Sequence, residues 1–157
     1  MKVAVAGTFG PIHDGHRNLF EHALQYGDEG VLVAVTSQEM ATSSRTREVP
    51  SLEDRKAAVR EEVENLNEWD RDVEIRTLND EHGIASTDPS IDALVTSPET
   101  AEKLADINAN RRVNDLEPIE GILVPYVLAD DGERISSTRV VAGEIDEHGR
   151  LLGGEEN

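Results

Sequence analysis

Two periodicities alternate along this chain. Residues 2–7, KVAVAG, are a short unbroken apolar run, as a strand buried on both faces requires. Over residues 14–26 the period lengthens: Leu19, Phe20, Ala23 and Leu24 share one helical face, and Gly27 supplies a stop. GVLVAVTS (30–37) predicts a second strand. PSLEDRKAAVREEVENL (50–66) predicts a helix, opened by a Ser51-x-x-Asp54 capping signal and carrying Val59, Val63 and Leu66 at helical spacing. DVEIRTL (72–78) alternates, which predicts a third, less central strand. IDALVTS (91–97) predicts a fourth, feeding PETAEKLADINANRR, where Ser97 is the expected cap and Pro98 the first helical residue. IEGILVPYVL (119–128) predicts a fifth strand and SSTRVVAGEI (136–145) a short last helix.

Strands separated by helices predict an α/β fold, a doubly wound Rossmann-like parallel sheet of five strands with right-handed crossovers. No internal repeat or low-complexity linker interrupts it, so residues 1–150 are expected to form one domain and 151–157 a flexible tail. Ligands of such sheets sit beyond the carboxyl ends of strands, where strand order reverses. Four polar clusters fall at those ends: GTFGPIHDGH after the first strand, TSQEM after the second, TSPET after the fourth and ISSTR soon after the fifth.

Composition narrows the function. The length, 157 residues, supports a core without staples, and the absence of cysteine excludes disulfides and thiolate metal sites. The first apolar run is too short for a signal peptide and no stretch is long enough to span a bilayer, so a cytoplasmic protein is expected. Asp and Glu total 33 against 15 Lys and Arg, a formal charge of -18. Such a surface repels nucleic acid and anionic membranes, and neither is expected as a partner. Clear apolar periodicity argues against disorder. Excess acid with only Lys2, Lys56 and Lys103 resembles proteins of halophilic archaea, for which molar salt shortens the Debye length to about 3 Å.

The chemistry gathers in GTFGPIHDGH. Gly7 and Gly10 are expected to let the backbone turn and approach a ligand, and Gly15 to leave room for a base or ribose. A helix starting near His13 or Asp14 aims amides and its dipole at the same spot. His13 and His16, three residues apart, point to one side of the first turn and add donors for phosphate oxygens. A zinc site would need a third ligand and a different spacing, and no metal ligand is assigned. GxxxxGK[ST] and GxGxxG are both absent.

GTFGPIHDGHRNLFEHA resembles the HxGH signature of the nucleotidyltransferase superfamily, and RISSTRVVAGEID its later ISSTxxR-type signature. VTSQEMA, DALVTSPETAEKLADINANRR and PYVLADDGERISSTR further resemble the archaeal and eukaryotic type of phosphopantetheine adenylyltransferase, over most of residues 1–146. The resemblance implies transfer of AMP from ATP to 4′-phosphopantetheine, giving dephospho-coenzyme A and pyrophosphate, with Mg²⁺ accompanying the triphosphate. It implies that Gly7, Thr8, Phe9, Gly15, His16, Ser97, Glu99, Thr100, Tyr126, Ser136, Ser137, Thr138 and Arg139 bind the nucleotide. His16, His13, Ser137 and Thr138 would act on the phosphates undergoing reaction. Thr8, Arg45, Arg47 and Leu78 would hold the acceptor.

One departure matters. The family usually offers a lysine after the second strand to grip the attacking phosphate, whereas this chain has Arg45 and Arg47 and no lysine before Lys56. Arginine can bind phosphate bidentately; which of the two does so stays open, as does the reading of both as solvated loop charges. His82 after the third strand and Arg111 or Arg112 after the fourth helix are further candidates for substrate contact, whereas Trp69, His22 and His148 read as covering or surface residues. The same chemistry on FMN, nicotinamide mononucleotide or glycerol 3-phosphate is the alternative, since acceptor pockets are built from variable loops. The oligomeric state is not legible. The halophilic reading predicts that activity rises steeply from low to molar KCl; a flat profile would overturn it without touching the chemistry.

Overall fold

The structure, a computed structural model, describes residues 1–43, 47–80, 83–98 and 101–152. In chain order the elements are β1 (Val3–Gly7), α1 (Asp14–Tyr26), β2 (Val31–Thr36), α2 (Gln38–Ser43), α3 (Leu52–Leu66), β3 (Val73–Leu78), α4 (Gly83–Thr87), β4 (Ala93–Thr96), α5 (Lys103–Val113), β5 (Glu120–Leu123) and α6 (Ser137–Val141). All five strands pair in parallel, in the order β3-β2-β1-β4-β5. Strand order reverses at β1, so a crevice opens beyond the carboxyl ends of β1 and β4.

Central strands are apolar throughout because both faces of the sheet are covered. Val3 and Val5 face one cluster with Phe20 and Leu24 of α1 and Val59 and Val63 of α3. Ala4, between them, faces the other with Leu32, Leu94, and Ile107 of α5. β3 is an edge strand with alternating burial, as its pattern predicts. Ser51 caps α3 by accepting the Asp54 amide at 3.2 Å, so that capping signal reads true.

Several boundaries differ. α5 begins at Lys103 with Glu102 as its cap residue, and Ser97 and Pro98 do not start it. A turn closed by the Leu104 amide on the Ala101 carbonyl comes first, and the helix forms where Ile107 reaches the sheet. β5 stops at Leu123, and Pro125 just beyond has no amide to continue the ladder. α6 stops at Val141, close to Gly143 at φ +78°. α2 and α4 were not predicted: six and five residues are too few to display a period. Within the expected tail, Leu151 bridges to Ile145 and the Leu152 amide donates to the Glu144 carbonyl. Residues 153–157 lie outside the described part.

Two arginines are buried as deeply as the core valines, Arg55 at 1 % exposure and Arg111 at 2 %. Arg111 donates to the carbonyls of Glu117, Ala85, Asp88 and Ile91, which knots the ends of α4 and α5 under β4. It is spent on the fold, and neither it nor Arg112 is among the walls of the cleft described below. No helix among the described residues is long and apolar enough to cross a membrane.

Candidate active site

A cleft of about 290 Å³ opens where the strand order predicts it. Among its walls are Thr8, Phe9 and His13 from the turn after β1, Gly15 and His16 at the head of α1, Arg47 after α2, Ser97 after β4, Tyr126 after β5, and Ser136, Ser137 and Thr138 at the start of α6. Residues more than a hundred positions apart therefore share one wall. Ser137 Oγ donates to the Pro11 carbonyl at 2.7 Å, which fastens the two polar turns directly to each other.

The histidines are built by a reciprocal cap. His13 Nδ1 accepts the Gly15 amide at 3.0 Å, and His16 Nδ1 accepts the His13 amide at 3.2 Å. Each Nδ1 is thereby an acceptor, so in the neutral ring the proton sits on Nε2. Two Nε2–H donors result, on rings stacked 3.8 Å apart. Phe9 meets His16 edge-on at 5.1 Å and packs on Phe20 at 5.0 Å, which locks the second ring to the core.

The glycines play other parts than expected. A Cβ on Gly15 would lie 2.7 Å from His13 Cε1, so its bareness makes room for the capping imidazole, and Gly15 also lines the cleft. Gly7 does not line the cleft: a Cβ there would lie 2.9 Å from the Phe9 ring, and one on Gly10 2.7 Å from Arg55 Cδ. The left-handed residue of this turn is Phe9, at φ 54°. The amides at the head of α1 are also partly taken, Asp14's by the Glu147 carbonyl and Gly15's by His13.

Other expected residues stand elsewhere. Arg139 is turned away from the cleft, its guanidinium held by Asp131 and Glu144. Leu78, at the end of β3, lines a separate depression of about 560 Å³ with Asn79, Ser86 and Asn114. Arg45, His82, Glu99 and Thr100 lie outside the described residues. Trp69 packs against the core, His22 bonds its own helix at the Asn18 carbonyl, and His148 meets Asp14. Of the expected hydroxyls, Ser137 has given its proton to Pro11, while Ser136 accepts the Arg139 amide as the cap of α6. Thr138 accepts from Arg47 Nε at 3.2 Å and keeps its own proton. Arg134 was missed. It lines the cleft and lies 5.1 Å over the Tyr126 ring. Its signal was present: in an extended RIS, the residue two before Ser136 shares its side.

The cleft inverts the charge of the molecule. In a chain with 33 acidic side chains, its described walls carry two arginines and two imidazoles and no carboxylate. The imidazoles are neutral when the site is empty. Burial, then repulsion from Arg17, lowers His13 to about 4. Burial, with His13 and Arg17 adding to it, holds His16 well below the usual range. The folded state thus resists a proton that the unfolded chain accepts near pH 6.5, so His13 contributes stability above that pH and loses it as pH falls toward 4. His13→Asn keeps an acceptor for the Gly15 amide but does not titrate. Urea unfolding from pH 7 to 4 should show the wild type losing about 3 kcal/mol relative to this variant; parallel profiles would refute the burial.

The cytidylyltransferase-like family profile matches residues 4–143. The chain is 38% identical over 151 residues to a phosphopantetheine adenylyltransferase of Methanosarcina acetivorans, covering 96% of this chain and 95% of that one. It is 40% identical over 146 residues to one of Methanopyrus kandleri, covering 93% and 91%. A solved structure of a protein of unknown function from Archaeoglobus fulgidus superposes with a TM-score of 0.70 at 33% identity, over 79% of this chain and 89% of that one. Sequence and fold agree, and the chain belongs to the phosphopantetheine adenylyltransferase family.

Proposed function

We propose that this protein transfers AMP from ATP to 4′-phosphopantetheine, releasing pyrophosphate and forming dephospho-coenzyme A. The observation that carries the reading is the charge inversion: a cleft of cations and neutral donors, without a described carboxylate, in a strongly acidic molecule. Such a lining suits a polyanion and little else.

An oxygen of the acceptor's phosphate monoester attacks the α-phosphorus of ATP. The new P–O bond forms as the bond from the α-phosphorus to the bridging oxygen of the β-phosphate breaks, and that oxygen leaves on pyrophosphate. The nucleophile is already an anion, so no covalent enzyme intermediate is required. Catalysis consists of aligning two phosphates that repel each other and meeting the charge that grows on the leaving group.

His13 and His16 would present their Nε2–H groups to the triphosphate, and the approach of that charge would favour their protonated forms. Arg47, joined to Thr138 and to the Gly10 carbonyl, is the loop arginine we assign to the attacking phosphate. Arg134 would hold phosphate oxygens, and Tyr126 and Ser97 would flank the adenosine. Leu78 would contact the pantetheine arm only if that arm extends to the depression beyond β3. Among the described residues no group of three or more His, Asp or Glu is placed to hold a metal. Mg²⁺ would enter as MgATP, ligated by phosphate oxygens and water.

Two measurements test this. Incubated with ATP in molar KCl, the protein should release pyrophosphate with 4′-phosphopantetheine; release with FMN or nicotinamide mononucleotide instead would reassign the acceptor. His16→Ala should lower kcat by on the order of 10², and an unchanged rate would remove the imidazoles from the chemistry.

A further inference from the structure

Arg55 is buried beneath the cleft, and its donors run in a definite direction. Nε donates to the Pro50 carbonyl at 2.9 Å and Nη2 to Gln38 Oε1 at 3.2 Å. Nη1 donates its two hydrogens to the carbonyls of Thr36 at 2.8 Å and Thr8 at 3.1 Å, one of them shared with Thr36 Oγ1 at 3.3 Å. The Thr36 hydroxyl in turn donates to Thr8 Oγ1 at 3.0 Å. The geometry follows from strand register: Gly7 of β1 pairs with Val35 of β2, so the next residues, Thr8 and Thr36, stand side by side.

A guanidinium can only donate. Thr36 Oγ1 therefore accepts from Arg55, and its own proton must go elsewhere. Thr8 Oγ1 is the acceptor within reach. Thr8 accepts from Thr36, so its remaining proton is the one left to face the cleft that Thr8 lines at 9 % exposure. Were the Thr8–Thr36 bond reversed, the Thr36 oxygen would accept twice and its proton would have to turn away from both neighbours. Successive bonds in one direction also polarise each other.

We propose that Arg55 and Thr36 are positioning residues that fix the Thr8 hydroxyl as a hydrogen-bond donor to an anionic phosphate oxygen at the floor of the cleft. The proposal rests on the adenylyl-transfer reading, in which Thr8 lies where acceptor phosphate and α-phosphate meet. Without the relay the hydroxyl can still donate to the phosphate, but the substrate must orient it and it loses the polarisation that the Thr36 bond supplies, so the contact is weaker in the transition state.

Arg55 itself is a poor probe, since its removal orphans buried carbonyls and destabilises the fold. The test uses Thr36→Val, Thr36→Ser, Thr8→Val and the double variant Thr8→Val/Thr36→Val, with ATP and 4′-phosphopantetheine. Thr36→Val should lower kcat/KM about tenfold, Thr36→Ser should restore it to within about twofold, and Thr36→Val should have no further effect once Thr8 is valine. Full activity of Thr36→Val, or additive losses in the double variant, would overturn the relay. A wild type that releases no pyrophosphate with any acceptor would overturn the adenylyl-transfer reading instead. The same four variants compared by calorimetric ATP affinity then decide the relay separately: non-additive losses support it and additive or absent losses refute it.

Discussion

The site rests on one buried cation. A guanidinium withdrawn from water is costly unless its donors are met, and Arg55 meets them mainly with backbone carbonyls. Those carbonyls belong to Thr8 at the end of β1, Thr36 at the end of β2 and Pro50 just before α3. Three segments with no covalent reason to stay together are thus drawn onto one planar fork, which an ammonium on a flexible stem would not hold equally well. Arg111 repeats the device on the opposite face of the sheet. In a chain with only three lysines, arginine supplies the interior fastening as well as the cationic walls of the cleft.

Neutral imidazoles suit this architecture. Two rings 3.8 Å apart would repel if both were charged, and the empty cleft already contains Arg47 and Arg134. Burial keeps the rings neutral, and the cap orients them, so donors stand ready without a standing electrostatic penalty. The large negative charge lies outside, where molar salt would screen it, while the cleft carries the opposite sign.

Much of the fold was legible because period and length agree: the strand at 2–7, the helix at 14–26 and the capped helix after Ser51 all stand near their predicted places. Short α2 and α4 escaped because one turn shows no period. The site was legible as a collection and less so as an arrangement. That His13, His16, Ser136, Ser137 and Thr138 line one cleft follows from strand ends meeting at a reversal of strand order. Which way each donor points does not follow, because it depends on partners distant in sequence. That Ser137 also ties the two turns together depends on Pro11, and that Arg139 turns from the cleft depends on Asp131 and Glu144. That the bareness of Gly15 also accommodates the His13 ring depends on the cap geometry.

That economy of donors bears on how the two ends of the chain act as one site. Aligning two phosphates depends on tenths of an ångström, and a turn held only by ligand would drift when the ligand leaves. Here the later turn is tied before any substrate arrives. Ser137 grips Pro11, Arg17 in α1 reaches Glu147, the Asp14 amide donates to the Glu147 carbonyl, and His148 meets the Asp14 carboxylate. The segment that follows α6 thus closes over the head of the helix bearing both histidines. The Ser137 hydroxyl, bonded to Pro11 in the empty cleft, fixes the separation between the imidazoles and the α6 turn. A preset distance is what electrostatic catalysis favours, because donors that need not reorganise lower the barrier more than additional mobile ones.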